Sequence, residues 1–148
     1  MFYLLISVVA FNVIAFLVPK YIKKQEIYAT AFFSFTLGLI SDISLDLKYD
    51  LYGYFEKGLQ LIGFLPIVGL FPASGILFLN FYPEGKSLFK RIIYILFWVV
   101  FSLFYEWTAI KGGYFYHNEW TFLYSALVYP VLLWMHLLHL SLFRYLKD

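Results

Sequence analysis

The sequence predicts an all-α fold, a five-span transmembrane helical bundle with its N-terminus outside and its C-terminus cytoplasmic. Three observations carry that prediction. The chain is 63% hydrophobic and only 14% charged, whereas an ordinary soluble domain carries about 25% charged residues. Its apolar residues fall into five stretches close to the ~20 residues that a ~30 Å hydrocarbon core requires. The lysines and arginines cluster in alternate connections between those stretches. The mean hydropathy of +0.78 exceeds what one soluble core can hide, and no polar stretch is long enough for a second domain. Residues 1–148 therefore read as a single transmembrane domain.

The spans are predicted at about 2–18, 27–47, 59–80, 91–110 and 121–143. The first, Phe2–Val18, must be distinguished from a secretory signal, which needs a basic start and a small-residue cleavage site. Nothing basic precedes Lys20, and Pro19-Lys20-Tyr21 follows the apolar run, so a retained helix is expected. Asn12 in its middle is expected to bond another helix, as buried amides do in membranes. The second span ends in Asp42, Asp46 and Asp50.

The third span carries Pro66 and Pro72 among Gly63, Gly69, Ala73, Ser74 and Gly75. Proline removes a backbone donor and kinks a helix, so a kinked span is expected, with a re-entrant loop as the alternative. Gly69-x-x-x-Ala73 is a small-residue pattern that permits close helix packing. The fourth span holds Glu106. The fifth holds Pro130, so helices 3 and 5 are both expected to kink, together with His136-x-x-His139.

Orientation follows from the basic residues. Lys20, Lys23 and Lys24, then Lys86, Lys90 and Arg91, then Arg144 and Lys147 fall on one side and make up eight of the 11. Only Lys48, Lys57 and Lys111 fall on the other. An odd number of spans preserves this alternation, with the basic side cytoplasmic. A net charge of +2 gives no nucleic-acid surface. The absence of cysteine excludes disulfides, thiolate metal sites and cysteine nucleophiles.

The two outer loops are aromatic: Tyr49-Asp50-Leu51-Tyr52-Gly53-Tyr54-Phe55, and Gly112-Gly113-Tyr114-Phe115-Tyr116-His117-Asn118-Glu119-Trp120. Tyrosine and tryptophan settle at headgroup level, so most of these rings are expected in an interfacial belt. Spans 2–3 and 4–5 also share a pattern. Each pair has an acid near its outer end, a lysine (Lys48, Lys111), a Gly-Tyr-Phe run and a proline in the return helix. That pattern suggests a duplicated hairpin.

Asp42, Asp46 and Asp50 are spaced four apart and so share a helical face. At 1.5 Å per residue, Asp42 and Glu106 each lie ~22 Å above the cytoplasmic start of their helices, at matching depth. Asp46 is expected near the interface and Asp50 in water. A carboxylate inside a span marks a functional site by default. Asp42, Asp46, Glu106 and the loop residue His117 are the candidate cation or proton site. The structural alternative pairs each acid with Lys48, Lys57 or Lys111, or with a tyrosine such as Tyr49, Tyr52 or Tyr105. His136 and His139 lie toward the cytoplasmic end and are expected to pack there, away from the acids. Ser41, Ser44 and Ser74 have no base suggested nearby. No phosphate loop, zinc-protease motif or nucleophile elbow appears, so no catalytic residue, metal or cofactor is predicted.

Met1-Phe2-Tyr3-Leu4-Leu5, Asp42…Asp46-Leu47-Lys48-Tyr49…Leu51-Tyr52-Gly53-Tyr54-Phe55, Asn80-Phe81-Tyr82-Pro83 and Tyr105-Glu106-Trp107 together resemble a family of small multi-span integral membrane proteins. That family is found mainly in endospore-forming bacteria and has no assigned activity. The resemblance implies the bacterial cytoplasmic membrane and carries over no catalytic residues. The expected function is a non-catalytic accessory or interaction component. Its partners would be the lipid bilayer and either a membrane protein or a second copy. A cation- or proton-coupled transport component using the outer carboxylates is the first alternative, and an intramembrane enzyme acting on lipid the second.

Overall fold

The computed structural model describes residues 1–147. In chain order it contains α1 (Phe2–Leu17), α2 (Lys24–Asp42) extended by a π-helical segment (Ile43–Lys48), and a short strand β1 (Tyr52–Tyr54). A single 3-10 turn (Leu61–Gly63) then leads into α3 (Phe64–Gly69) and α4 (Phe71–Asn80), followed by α5 (Leu88–Lys111), strand β2 (Phe115–His117) and α6 (Phe122–Lys147). Four helical stretches, Lys24–Lys48, Leu61–Asn80, Leu88–Lys111 and Phe122–Lys147, are long and apolar enough to cross a membrane. α1 is apolar but has only 16 residues, ~24 Å of helix.

Polarity is distributed inside out. On α5, Ile92, Leu96, Phe97, Val100 and Phe104 face outward, while Glu106 is buried. Thr30, Ser34, Asp42, Asn80 and His136 are buried as well. Water would reward the reverse arrangement. A hydrocarbon surround accepts the apolar exterior and drives polar groups into the bundle, where they find partners.

Two ends are defined by contacts between distant segments. At one, β1 and β2 pair antiparallel, with Tyr52 opposite His117, Gly53 opposite Tyr116 and Tyr54 opposite Phe115. The start of α1 joins this end, because the Tyr3 hydroxyl meets Thr108 Oγ1 at 2.5 Å. At the other, Asn80 Oδ1 accepts the Tyr21 N–H at 2.8 Å and Asn80 Nδ2 donates to the Pro19 carbonyl. Arg144 there bonds both Glu26 and Glu84. The basic connections thus gather at one end of the bundle and the aromatic connections at the other. Leu61–Asn80 traverses the bundle instead of turning back, so the re-entrant alternative does not describe it.

That third crossing is interrupted at Leu70, between α3 and α4. Pro72 lacks the N–H that would bond the Val68 carbonyl. Asn12 of α1 donates to the Gly69 carbonyl at 2.8 Å beside the break, the interhelical bond expected of it. Gly69 packs against Val8, and a Cβ there would fall 2.7 Å from Val8 Cγ1. Ala73 joins Ala15 and Leu77 in a buried cluster. The small-residue pattern therefore seats α1. α6 is continuous through Pro130, so only the third crossing is broken into separate helices.

The sheet corrects the sequence reading twice. The Gly-aromatic loops are paired strands, and Tyr52, Tyr54 and Tyr114 are buried, so these rings belong to the core of this end and not to an interfacial belt. Three-residue strands are too short to show alternation, which hid them. The duplicated-hairpin pattern also weakens. β1 surrounds Gly53 whereas β2 begins two residues after Gly113, and only the second span ends in a π-helical segment.

Candidate functional site

A cavity of about 260 Å³ lies between α2, α4, α5 and α6 and reaches the sheet. Asp42 and Glu106 line it together with Tyr52, Tyr54 and Trp120, while Ser34 and His136 line it further toward the basic end. Eight residues separate Ser34 from Asp42 on α2, which is ~12 Å of helix. Glycines let the helices and side chains close around it. A Cβ on Gly38 would lie 2.0 Å from the Phe71 ring, and one on Gly75 would lie 2.2 Å from Ser34 Oγ.

The two acids at matching depth do face one cavity, but their surroundings differ. Glu106 Oε1 accepts Ser125 Oγ–H at 2.7 Å and lies 2.6 Å from His117 Nε2. Its other oxygen accepts the Tyr129 hydroxyl. Trp120 Nε1 donates to Ser125 Oγ at 2.7 Å, so the loop, α5 and α6 are laced through this carboxylate. Asp42 is only 5% exposed. Its Oδ1 accepts the Tyr52 hydroxyl at 2.7 Å, the Tyr54 hydroxyl also faces this carboxylate, and its buried Oδ2 has no partner in hydrogen-bonding geometry among the described residues. Burial and the adjacent Asp42 carboxylate push the Tyr52 hydroxyl well above its ordinary range. It therefore stays protonated and acts as a donor.

The other predicted site residues separate. Asp46 is buried instead of lying at an open interface, and it is not among the residues lining the cavity. A π-helical segment begins one residue after Asp42, and Asp46 within it keeps its place on the buried face while lying beyond the cavity. Asp50 is half-buried. It pairs with Lys57, raising the Lys57 ammonium above its usual range, and accepts a bond from Asn118 Nδ2 at 3.2 Å. Among the three acids proposed to pair with lysine or tyrosine, Asp42 has a tyrosine and Glu106 has a tyrosine, a serine and a histidine. Tyr105, named as a partner, instead accepts the Tyr114 hydroxyl at 2.8 Å. Lys48 lies over the Tyr49 ring, 4.9 Å from its centroid.

The four-residue series extends beyond the acids. Continued toward the start of α2, the spacing Asp46, Asp42, Gly38, Ser34, Thr30, Glu26 gives a stripe buried along the whole helix. Four residues advance slightly more than one 3.6-residue turn, so the stripe winds slowly as neighbouring helices cover it. At its basic end Glu26 Oε1 meets Arg144 Nε at 2.6 Å, and Glu26 Oε2 accepts the Lys23 N–H at 2.6 Å. Thr30 Oγ1 has no partner among the described residues. The signal that could have found these residues was the spacing itself.

His136 was expected to pack apart from the acids, yet it shares their cavity. Its Nδ1 lies 2.8 Å from the Leu132 carbonyl and its Nε2 lies 2.9 Å from Ser34 Oγ. A carbonyl only accepts, so Nδ1 carries a proton, and in the neutral imidazole Nε2 is then the acceptor and Ser34 donates. His139 stacks on Phe33, with ring centroids 4.1 Å apart. The two histidines do not share a ligand. Among the described residues no group of three or more histidine, aspartate or glutamate side chains is placed to hold a metal.

No family model, curated protein or solved structure matches this chain.

Proposed function

We propose that this is a five-pass integral protein of a bacterial cytoplasmic membrane, N-terminus outside, that works as a proton-coupled transport component with Asp42 as its exchanging acid. One observation carries the reading: a buried carboxylate oxygen without a partner, in a cavity, on a polar stripe that runs the length of α2. Burying an unpaired polar oxygen is costly, and more so when it is charged. Asp42 meets that cost by taking up a proton or a cation, and it gives either up when the cavity exchanges with water. Glu106, with three donors, stays fixed and holds the outer wall. The Ser34–His136 pair provides a proton-accepting nitrogen further along the same cavity. The resemblance to membrane proteins of endospore-forming bacteria and the concentration of basic residues at one end support the location and orientation.

The test is proton flux into liposomes containing the purified protein and a trapped pH-sensitive dye, driven by a potassium diffusion potential. Flux above empty liposomes, lost in Asp42→Asn, is expected. Equal flux in wild type and variant would sink the reading.

A second reading is a non-catalytic accessory component that docks a larger membrane protein. The apolar exterior of α5, from Ile92 through Phe104, supports it, and co-purification from native membranes decides it.

A further inference from the structure

Building on Asp42 as the exchanging acid, we infer that the cavity binds a small lipophilic organic ammonium ion, which competes with the proton for the Asp42 carboxylate. The sign of the ligand follows from the lining. Asp42 and Glu106 both contribute to it, and neither lysine nor arginine does. Glu106 has both oxygens engaged, so the acceptor left for a ligand is Asp42 Oδ2, on a residue 95% buried by its 5% exposure.

The class of cation follows from size and from the walls. A volume of about 260 Å³ approaches the ~300 Å³ at which small-molecule pockets begin. A bare metal ion would rattle in that space. It would also want several oxygen ligands, and here one carboxylate is free. An ammonium with hydrocarbon or aromatic substituents needs only one counter-charge. Its remaining surface meets aromatic faces, which attract cations through the ring quadrupole.

Tyr52, Tyr54, Phe71, Phe101, Tyr105 and Trp120 supply those faces. Tyr52 and Trp120 meet edge to face with centroids 5.6 Å apart, next to the Asp42 carboxylate that Tyr52 already bonds. The arrangement is a mostly apolar chamber with one orienting charge, the usual composition of a small-molecule site. Because a proton and an ammonium neutralise the same oxygen, binding one displaces the other. No bond is made or broken apart from that proton transfer to water.

Trp98 and Trp120 line the cavity and report occupancy. The experiment titrates the full chain, purified in uncharged maltoside micelles, with benzyltrimethylammonium chloride, and runs potassium chloride as the ionic-strength control. Tryptophan fluorescence and proton release into weakly buffered solution are both recorded. Saturable quenching with up to one proton released per ligand is expected, and Asp42→Asn should weaken binding at least tenfold and abolish the release. Ser41→Leu adds bulk to the cavity wall while keeping the carboxylate. It should lose the quenching but keep the acid titration of Asp42, which also covers the case in which Asp42→Asn does not fold. Absence of saturable quenching, or quenching unchanged in both variants, overturns the organic-cation inference. Proton flux that depends on Asp42 would in that case still stand, so the two readings fail separately.

Discussion

The two ends of α2 each bury a carboxylate, and they treat it in opposite ways. At the basic end, Glu26 is satisfied by the Arg144 guanidinium on one oxygen and by the Lys23 backbone N–H on the other. Arg144 also reaches Glu84, so one side chain ties the tail of α6 to α2 and to the connection after α4. At the sheet end, Asp42 faces neutral tyrosine hydroxyls, Tyr52 bonded and Tyr54 close by, and keeps one oxygen without a bond. Both acids lie in the same four-residue series on the same helix. The difference lies in what the neighbouring helices offer them. A carboxylate opposed by a fixed cation is a fastening, whereas one opposed by a tyrosine inside a cavity remains available to exchange a proton or a cation.

Three variants test that contrast. Arg144→Ala is expected to have the largest effect, because it leaves Glu26 charged and buried without its counter-ion. Breaking one side of a buried pair costs about 3 kcal/mol. Thermal unfolding in micelles should shift down accordingly, with most of the loss recovered in the Glu26→Gln, Arg144→Ala double variant. Failure of the double variant to recover would mean that the packing of Arg144, and not its charge, fastens this end.

Gly75→Ala acts midway along the stripe. Its methyl would intrude on Ser34 Oγ and on His136 Nε2, 2.2 and 2.9 Å from the ideal Cβ position. Overpacking of this kind costs ~1–3 kcal/mol, so a moderate fall in melting temperature is expected. A melting temperature equal to the wild type's would show that α4 slides freely past α2. Asp42→Asn is expected to have the smallest effect on stability, within ~1 kcal/mol, because the oxygen it replaces makes no hydrogen bond. A large destabilisation in the same melting assay would make Asp42 a fastening like Glu26 and remove the contrast.

The legible part of the site was the part written locally. Asp42 and Glu106 were placed at one depth by counting residues along a helix, and the structure puts them on one cavity. His117 was picked out for its height near the acids, and it meets Glu106 at 2.6 Å. Asp46 shares the buried four-residue stripe with Asp42, but it lies one turn past the cavity, in the π-helical segment. His136 was set aside on depth alone, because nothing in the sequence shows a cavity elongated along the helix axis. The inward half of the stripe was visible as spacing but mixed threonine, serine and glycine with acids, so a search for charge passed over it.

The sequence by itself determined the helical class, the long apolar helices, the grouping of basic connections at one end and the need of Asn12 for a partner on another helix. Hydropathy, proline placement and residue spacing are local properties, and a bilayer-like environment rewards them wherever each helix lands. Only the tertiary structure decided that two aromatic loops become a sheet, that Glu26 is neutralised and Asp42 is not, and that Ser34 faces His136. Those outcomes join residues from 10 positions apart, as in Asp42 and Tyr52, to 118 apart, as in Glu26 and Arg144. Which face of a helix meets which neighbour is settled by packing among all of them at once, glycines included.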